Sequence, residues 1–159
     1  MCAVSVFEIV LVEPEIPPNT GNVGRLCVAL GAHLHLIEPL GFEITDKQVR
    51  RAGLDYWKDL DLTIWPSFEA FEAVHSQTDR WHLFSARAGT AAWSATYQRG
   101  DVLIFGPETR GLDAGLLDRL PEQCRTLPTP GYSDGRRVRS INLSAAVAAA
   151  AYMGASQIG

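Results

Sequence analysis

Three short stretches of this sequence gather residues that could hold an anion or a small polar ligand, and each borders a hydrophobic segment. The first is Pro17-Pro18-Asn19-Thr20-Gly21-Asn22-Val23-Gly24-Arg25. Glycines let backbone approach a ligand closely, and amides at a helix start favour negative charge. Asn22 and Arg25 stand three residues apart, on a helix face distinct from Val23 and Leu26. A guanidinium at Arg25 could grip a phosphate or a developing oxyanion. Ordinary capping by Asn19 or Thr20, with Arg25 in solvent, is the alternative. The second stretch, Phe105-Gly106-Pro107-Glu108-Thr109-Arg110-Gly111-Leu112, runs from a buried strand into a glycine, a carboxylate, an arginine and another glycine. It is either a ligand-facing loop or a tight turn with a surface pair between Glu108 and Arg110. The third, Arg139-Ser140-Ile141-Asn142-Leu143-Ser144, opens an almost wholly apolar helix. Ser140 or Asn142 could cap that helix, and the same polar cluster suits a small ligand.

The elements that must position these loops follow from the hydrophobic pattern. Phe7–Val12, His33–Ile37, Leu62–Trp65, Trp81–Ser85 and Asp101–Gly106 read as buried strands, and Arg125–Leu127 as a last short one. Pro14, Pro17 and Pro18 break the chain after the first strand. A helix then begins near Thr20 or Gly21, carries Val23, Leu26, Cys27 and Leu30 inward, and stops at Gly31. Further helices are expected over Asp46–Arg51, after Ser67, over Asp113–Leu120 and over Ile141–Met153. Ala86–Gln98 and Pro128–Arg139 read as irregular. Strands alternating with helices give an α/β fold with a mainly parallel sheet flanked by helices. In such sheets ligands collect at the carboxyl ends of the strands, where the first two loops lie.

Composition narrows the classes. The 159 residues suit one domain, 1–159, and 47% hydrophobic with 20% charged residues is ordinary for a globular chain. No stretch is long and apolar enough to span a membrane, and no basic segment precedes an apolar run, so a cytoplasmic protein without a signal peptide is expected. Cys2, Cys27 and Cys124 share no ligand spacing and read as reduced thiols; no metal is expected. His33 and His35 alternate along a strand and read as structural. The net charge of −4 opposes nucleic-acid binding by overall charge, yet 12 of the 14 basic residues are arginine. They cluster at Arg50 and Arg51 and at Arg136, Arg137 and Arg139. No G-x-G-x-x-G is present, which argues against a dinucleotide oxidoreductase.

Taken in order, the three stretches resemble the three motifs of SpoU-type RNA 2′-O-methyltransferases of the SPOUT superfamily. Glu13-Pro14-Glu15-Ile16-Pro17-Pro18-Asn19-Thr20-Gly21-Asn22 and Arg50-Arg51-Ala52-Gly53-Leu54-Asp55-Tyr56 are similar to TrmL-type enzymes, which act on cytidine or uridine 34 of tRNA. The resemblance covers nearly the whole chain. It implies a C-terminal trefoil knot, a known exception to the rule against knotted chains. It implies S-adenosylmethionine as cofactor, held by Ala86, Gly106, Glu108, Gly111, Leu127, Pro128, Ser140 and Leu143. It implies catalytic roles for Arg25 and Asn142, RNA contacts by Asn19, Arg25, Arg50 and Arg51, a tRNA substrate, and a homodimer with the site near the interface. Glu108 is expected to brace its loop rather than move a proton. Another tRNA or rRNA target, or a non-catalytic RNA-binding dimer, are the rival readings. Two departures stand out: the loop Gly131–Val138 is longer than the family's usual, with extra glycine and arginine, and Ala145 replaces a common asparagine.

Overall fold

A computed structural model describes residues 4–45 and 56–159. The expected helix over Asp46–Arg51, and with it Arg50 and Arg51, lies outside the described residues. Six strands form one sheet: β1 (Phe7–Val12), β2 (His33–Ile37), β3 (Leu62–Trp65), β4 (Trp81–Phe84), β5 (Asp101–Phe105) and β6 (Cys124–Arg125). Their order is β3-β2-β1-β5-β4-β6 and every pairing is parallel. Both faces are therefore covered, as a parallel sheet requires.

One face packs on α1 (Pro17–Leu30) and α5 (Leu143–Ile158). Phe7, Ile9, Leu11, Leu34, Leu36 and Leu103 meet Val23, Cys27, Val147, Ala150 and Ala151 there. The other face packs on α2 (Phe68–Val74) and α3 (Ala114–Arg119) through Val10, Ile37, Trp81, Leu83 and Ile104 against Phe71, Leu116 and Leu117. The chain leaves β1 toward the first face and leaves β5, its hydrogen-bonded neighbour, toward the second. Diverging connections at adjacent strands open a crevice at their carboxyl ends.

Several boundaries differ from the sequence expectation, each for a local reason. Helix α1 begins at Pro17, not at Thr20 or Gly21. Pro17 and Pro18 occupy its first turn, where a missing N–H is harmless, and Ile16 stands before them without a side-chain cap. Residues Asn19 and Thr20 thus sit inside the helix. Strand β6 ends at Arg125, although Thr126 still bridges to Ala91. The segment Pro128–Arg139 contains one helical turn, α4 (Pro130–Ser133). Helix α5 starts two residues later than expected because Asn142 is its cap, and it runs on to Ile158. That extension is held by Ala155 and Ile158 on the core and by Gln157, which accepts from the Tyr97 amide and donates to the Ala95 carbonyl.

Candidate active site

The three loops come together at the carboxyl end of β1 and β5, joined by a chain of side-chain hydrogen bonds. The Glu108 carboxylate accepts from the backbone amides of Glu15 and Ile16 at 2.7 and 3.0 Å and from Asn19 Nδ2 at 3.3 Å. Asn19 Oδ1 in turn accepts from Asn142 Nδ2 at 3.0 Å. Asn142 Oδ1 caps α5, accepting from the Ser144 amide and hydroxyl and from the Ala145 amide. One carboxylate and two carboxamides thus tie the first loop to the second and the third. The expected bracing role of Glu108 matches this geometry.

A second set of bonds runs alongside. Glu15 accepts from the Thr109 hydroxyl at 2.7 Å and from its amide at 3.1 Å. These bonds, with the Arg110 charge, outweigh the slight desolvation and hold the Glu15 carboxyl below its ordinary range. Arg110 pairs with Glu13 at 2.9 Å, not with Glu108 as a surface pair would have it. Glu13 lies at φ 48°, a conformation that costs a non-glycine residue energy and clusters at ligand sites. The glycines of the second loop are needed sterically. A Cβ at Gly106 would collide with the backbone of Gly111 and Leu112, and Gly111 itself turns at φ 69°.

The loops enclose a cavity of about 540 Å³. Its walls include Ala86, Gly106, Glu108, Gly111, Leu127, Ser140 and Leu143, together with Asn19 and Asn142. Pro128 is not in the wall. Arg25 is not either: it is exposed on α1, six residues and so about 9 Å along the axis from Asn19. Its guanidinium lies 5.3 Å from the centroid of the Tyr56 ring. Arg25 and Asn22 both face solvent, off the buried stripe.

Sequence reasoning missed Phe84 and Arg87 in the wall, and it named Phe105 only as the start of the second stretch. The two phenylalanines end adjacent parallel strands in register, and their rings stack at 4.6 Å with 9° between planes. The signal was present, an aromatic one residue before the expected end of each strand. Volume and lining match a drug-sized organic ligand, with an aromatic pair, two loop glycines and the charged side chains Arg87, Glu108, Arg110 and Arg139.

The comparisons agree with this arrangement. The model of the SpoU rRNA Methylase family matches residues 6–152. The chain belongs to that family. The SpoU resemblance expected from the three motifs is borne out. The tRNA (cytidine(34)-2'-O)-methyltransferase of Escherichia coli strain K12 is 49% identical over 156 residues, spanning 96% of this chain and 94% of the relative. The protein of the same name from Aeromonas hydrophila is 46% identical over 154 residues, spanning 96% and 95%. A solved structure described as "Structural insights into the 2-OH methylation of C/U34 on tRNA" superposes with a TM-score of 0.85 at 43% identity, covering 95% of each chain.

Away from this cavity, most polar groups pair with one another, although among the described residues His82 Nδ1, Thr20 Oγ1 and Arg125 Nε are buried without a partner. On β1–β3, His35 Nε2 lies 2.6 Å from Glu8, and the Trp65 indole N–H donates to His35 Nδ1 at 3.0 Å. An indole only donates, so His35 carries its proton on Nε2 and gives it to Glu8. His33 stacks on His35 and reaches Thr63 with its own Nε2. Glu8, His33 and His35 have the proximity of a metal-ligand set, but the Trp65 bond commits His35 to being a donor at the atom that would ligate. Burial works to raise the Glu8 carboxyl, yet the His35 hydrogen bond and the facing imidazoles prevail and lower it. Burial also pushes the His35 imidazole below its ordinary value, against the pull of Glu8. Among the described residues no helix is long and apolar enough to cross a membrane.

Proposed function

We propose that this protein methylates the ribose 2′-hydroxyl of the wobble nucleotide, position 34, in the tRNA anticodon loop, with S-adenosylmethionine as donor. The observation that carries the reading is full-length similarity, at 46–49% identity, to relatives named for that reaction. The cavity supports the cofactor. It has room for a nucleoside-sized ligand, and its exposed loop backbone between Gly106 and Gly111 and around Leu127 and Ser140–Leu143 suits one bound mainly by main-chain groups. Ala86 and Leu143 close its sides, and the Phe84–Phe105 pair gives it an apolar wall. Bound there, S-adenosylmethionine supplies an electrophilic methyl group on a sulfonium.

The chain's own groups then align the acceptor and manage charge. Transfer needs the 2′-oxygen in line with the methyl–sulfur bond and needs its proton removed. Arg25 presents a planar guanidinium fork, so it orients the ribose and its phosphate and stabilises the developing oxyanion rather than acting as a base. The proton passes to a substrate phosphate or to water. Asn142 and Asn19 position the walls, since their amides are engaged with one another and with α5 and Glu108. Arg50 and Arg51 complete the RNA contacts in this reading, while Asn19, buried with its amide bonded to Glu108 and Asn142, braces the site instead of touching RNA.

The working unit is a two-fold homodimer. Ala145, Ala149 and Tyr152 form an exposed apolar stripe along α5. Arg25 lies outside its own cavity wall, as a site completed across an interface requires. The segment that returns from β6 at the sheet edge to α5 beside α1 is read as a trefoil knot. The protein acts in the cytoplasm, in one domain and without a metal. A methyl-transfer assay on total tRNA, with mass-spectrometric mapping, tests the assignment. Label on the ribose of nucleotide 34 supports it, and label on a base or on a ribose outside the anticodon loop overturns it.

A further inference from the structure

The loop between α4 and the third motif has no part in the cavity's bracing, yet it holds the densest positive charge among the described residues. Residues 131–139 contain Arg136, Arg137 and Arg139 against one carboxylate, Asp134, in a chain whose net charge is −4. All three arginines are exposed. Among the described residues none of them enters an ion pair, whereas Arg80, Arg110 and Arg119 each have a carboxylate partner. Like charges so close repel one another unless an anion lies between them.

The loop is also built to stay in place. Its base is closed by the Thr129 hydroxyl, which donates to the Arg139 carbonyl at 3.0 Å. Inside it, the amides of Asp134, Gly135 and Arg136 donate to the carbonyls of Pro130, Tyr132 and Gly131. Gly135 turns the chain at φ 86°. Arg139 and Ser140 belong to the cavity wall, so the loop stands as a lip at the cavity mouth with Arg136 and Arg137 beyond it. Tyr132, 48% exposed, adds a ring on the same loop.

We propose that this loop binds the substrate RNA, with Arg136 and Arg137 gripping backbone phosphates next to the nucleotide held in the cavity. The inference rests on the methyltransferase reading above. The cofactor of that reading carries no phosphate, so the arginines are not needed to hold it. A polynucleotide threading into the cavity brings a phosphate on each side of the reacting ribose, and the planar guanidinium fork matches phosphate oxygens. Contacts of this kind read backbone rather than sequence, and a single strand gives a salt dependence of about 0.7 log units per phosphate neutralised.

The test is the double variant Arg136→Ala/Arg137→Ala, with tRNA binding followed by fluorescence anisotropy across a salt series. Affinity should fall roughly tenfold at moderate salt, and the log–log salt slope should become shallower by about one unit or more. Binding of S-adenosylmethionine by calorimetry and kcat at saturating tRNA should stay unchanged, with KM for tRNA raised. Arg136→Lys/Arg137→Lys should recover most of the salt slope. An unchanged affinity and slope in the alanine variant overturns the proposal. So does a parallel loss of cofactor binding, which makes the loop structural, or a change in oligomeric state without one in RNA affinity, which makes it a contact between copies. A wild-type protein that binds tRNA but transfers no methyl group defeats the functional reading alone, since the binding slope is read without turnover.

Discussion

The two ends of the parallel sheet handle polar groups in opposite ways. At the amino ends of β4 and β5, Asp101 is buried and accepts from Arg80, from His82 Nε2 at 3.0 Å and from the Gln98 amide at 2.8 Å. Burial works to raise this carboxyl, but those three donors together hold it low. Across β1–β3, from Glu8 near the start of β1 through His35 in the middle of β2 to Trp65 at the end of β3, the side chains are bonded to one another in the same manner. At the carboxyl ends, polar side chains link loop to loop and leave a cavity between them. Charged and ring-bearing residues at the amino end pair with one another beside a smaller cavity of about 340 Å³ lined by Glu8, His75 and Arg80; those at the carboxyl end join separate loops around the larger one. Titratable clusters alone would have pointed to the wrong end.

The largest expected effect lies at the amino end. Asp101→Ala leaves Arg80 Nε and the buried His82 Nε2 proton without their acceptor, although Arg80 keeps the Arg99 carbonyl, and breaking the buried His82–Asp101 pair costs about 3 kcal/mol. Denaturant unfolding should show that loss, while S-adenosylmethionine affinity of the folded variant stays near wild type. A variant stable but unable to bind cofactor would erase the distinction between the ends.

Arg25→Ala comes next. Its side chain is exposed, so folding and cofactor affinity should hold while methyl transfer drops by roughly two orders of magnitude, the scale for a lost electrostatic group. Arg25→Lys should restore little, because an ammonium lacks the planar fork. Single-turnover rates near wild type in Arg25→Ala would take the residue out of the reaction.

Asn142→Ala removes both a helix cap and the joint to Asn19. It should lower stability by about 1 kcal/mol and weaken cofactor binding and turnover together. A stability loss with cofactor affinity intact would reduce Asn142 to a cap.

The smallest effect is a pH dependence that belongs to the bonded side chains away from the large cavity. His35 is held below its ordinary 6.5, so the unfolded chain takes up a proton first and stability present above about pH 6.5 declines as pH falls below it. Glu8 and Asp101 are lowered from 4.5 and 3.8, so their contribution persists to lower pH and is lost as pH falls through their folded values. Calorimetric melting from pH 8 to pH 3 should show both declines, and His35→Gln should flatten the first.

Much of this was legible in the sequence because it depended on short-range pattern. Strands of β-branched and apolar residues, the parallel α/β layout and the three loops all follow from periodicity and from glycine placement. What could not be read depended on pairing across the chain. Pro17 and Pro18 looked like breakers, yet they start α1, because a first turn tolerates proline. Glu108 and Asn19 are 89 residues apart, and nothing local says that one carboxylate ties the second loop to the first, or that Asn19 passes the link on to Asn142 in the third. Phe84 and Phe105 stack only because β4 and β5 are neighbours in that register. The position of Arg25 outside the cavity wall likewise depends on how α1 is set against the sheet.

The central claim is that the cavity between the second and third loops is the cofactor site. Titration calorimetry of S-adenosylmethionine into wild type and Gly106→Val, in metal-free buffer, tests it most directly. The wild type should bind, and Gly106→Val should not, because its side chain would collide with and displace the Gly111–Leu112 backbone beside the cavity while circular dichroism reports the fold retained. Equal affinity in the two proteins, or no binding to the wild type, would contradict the account.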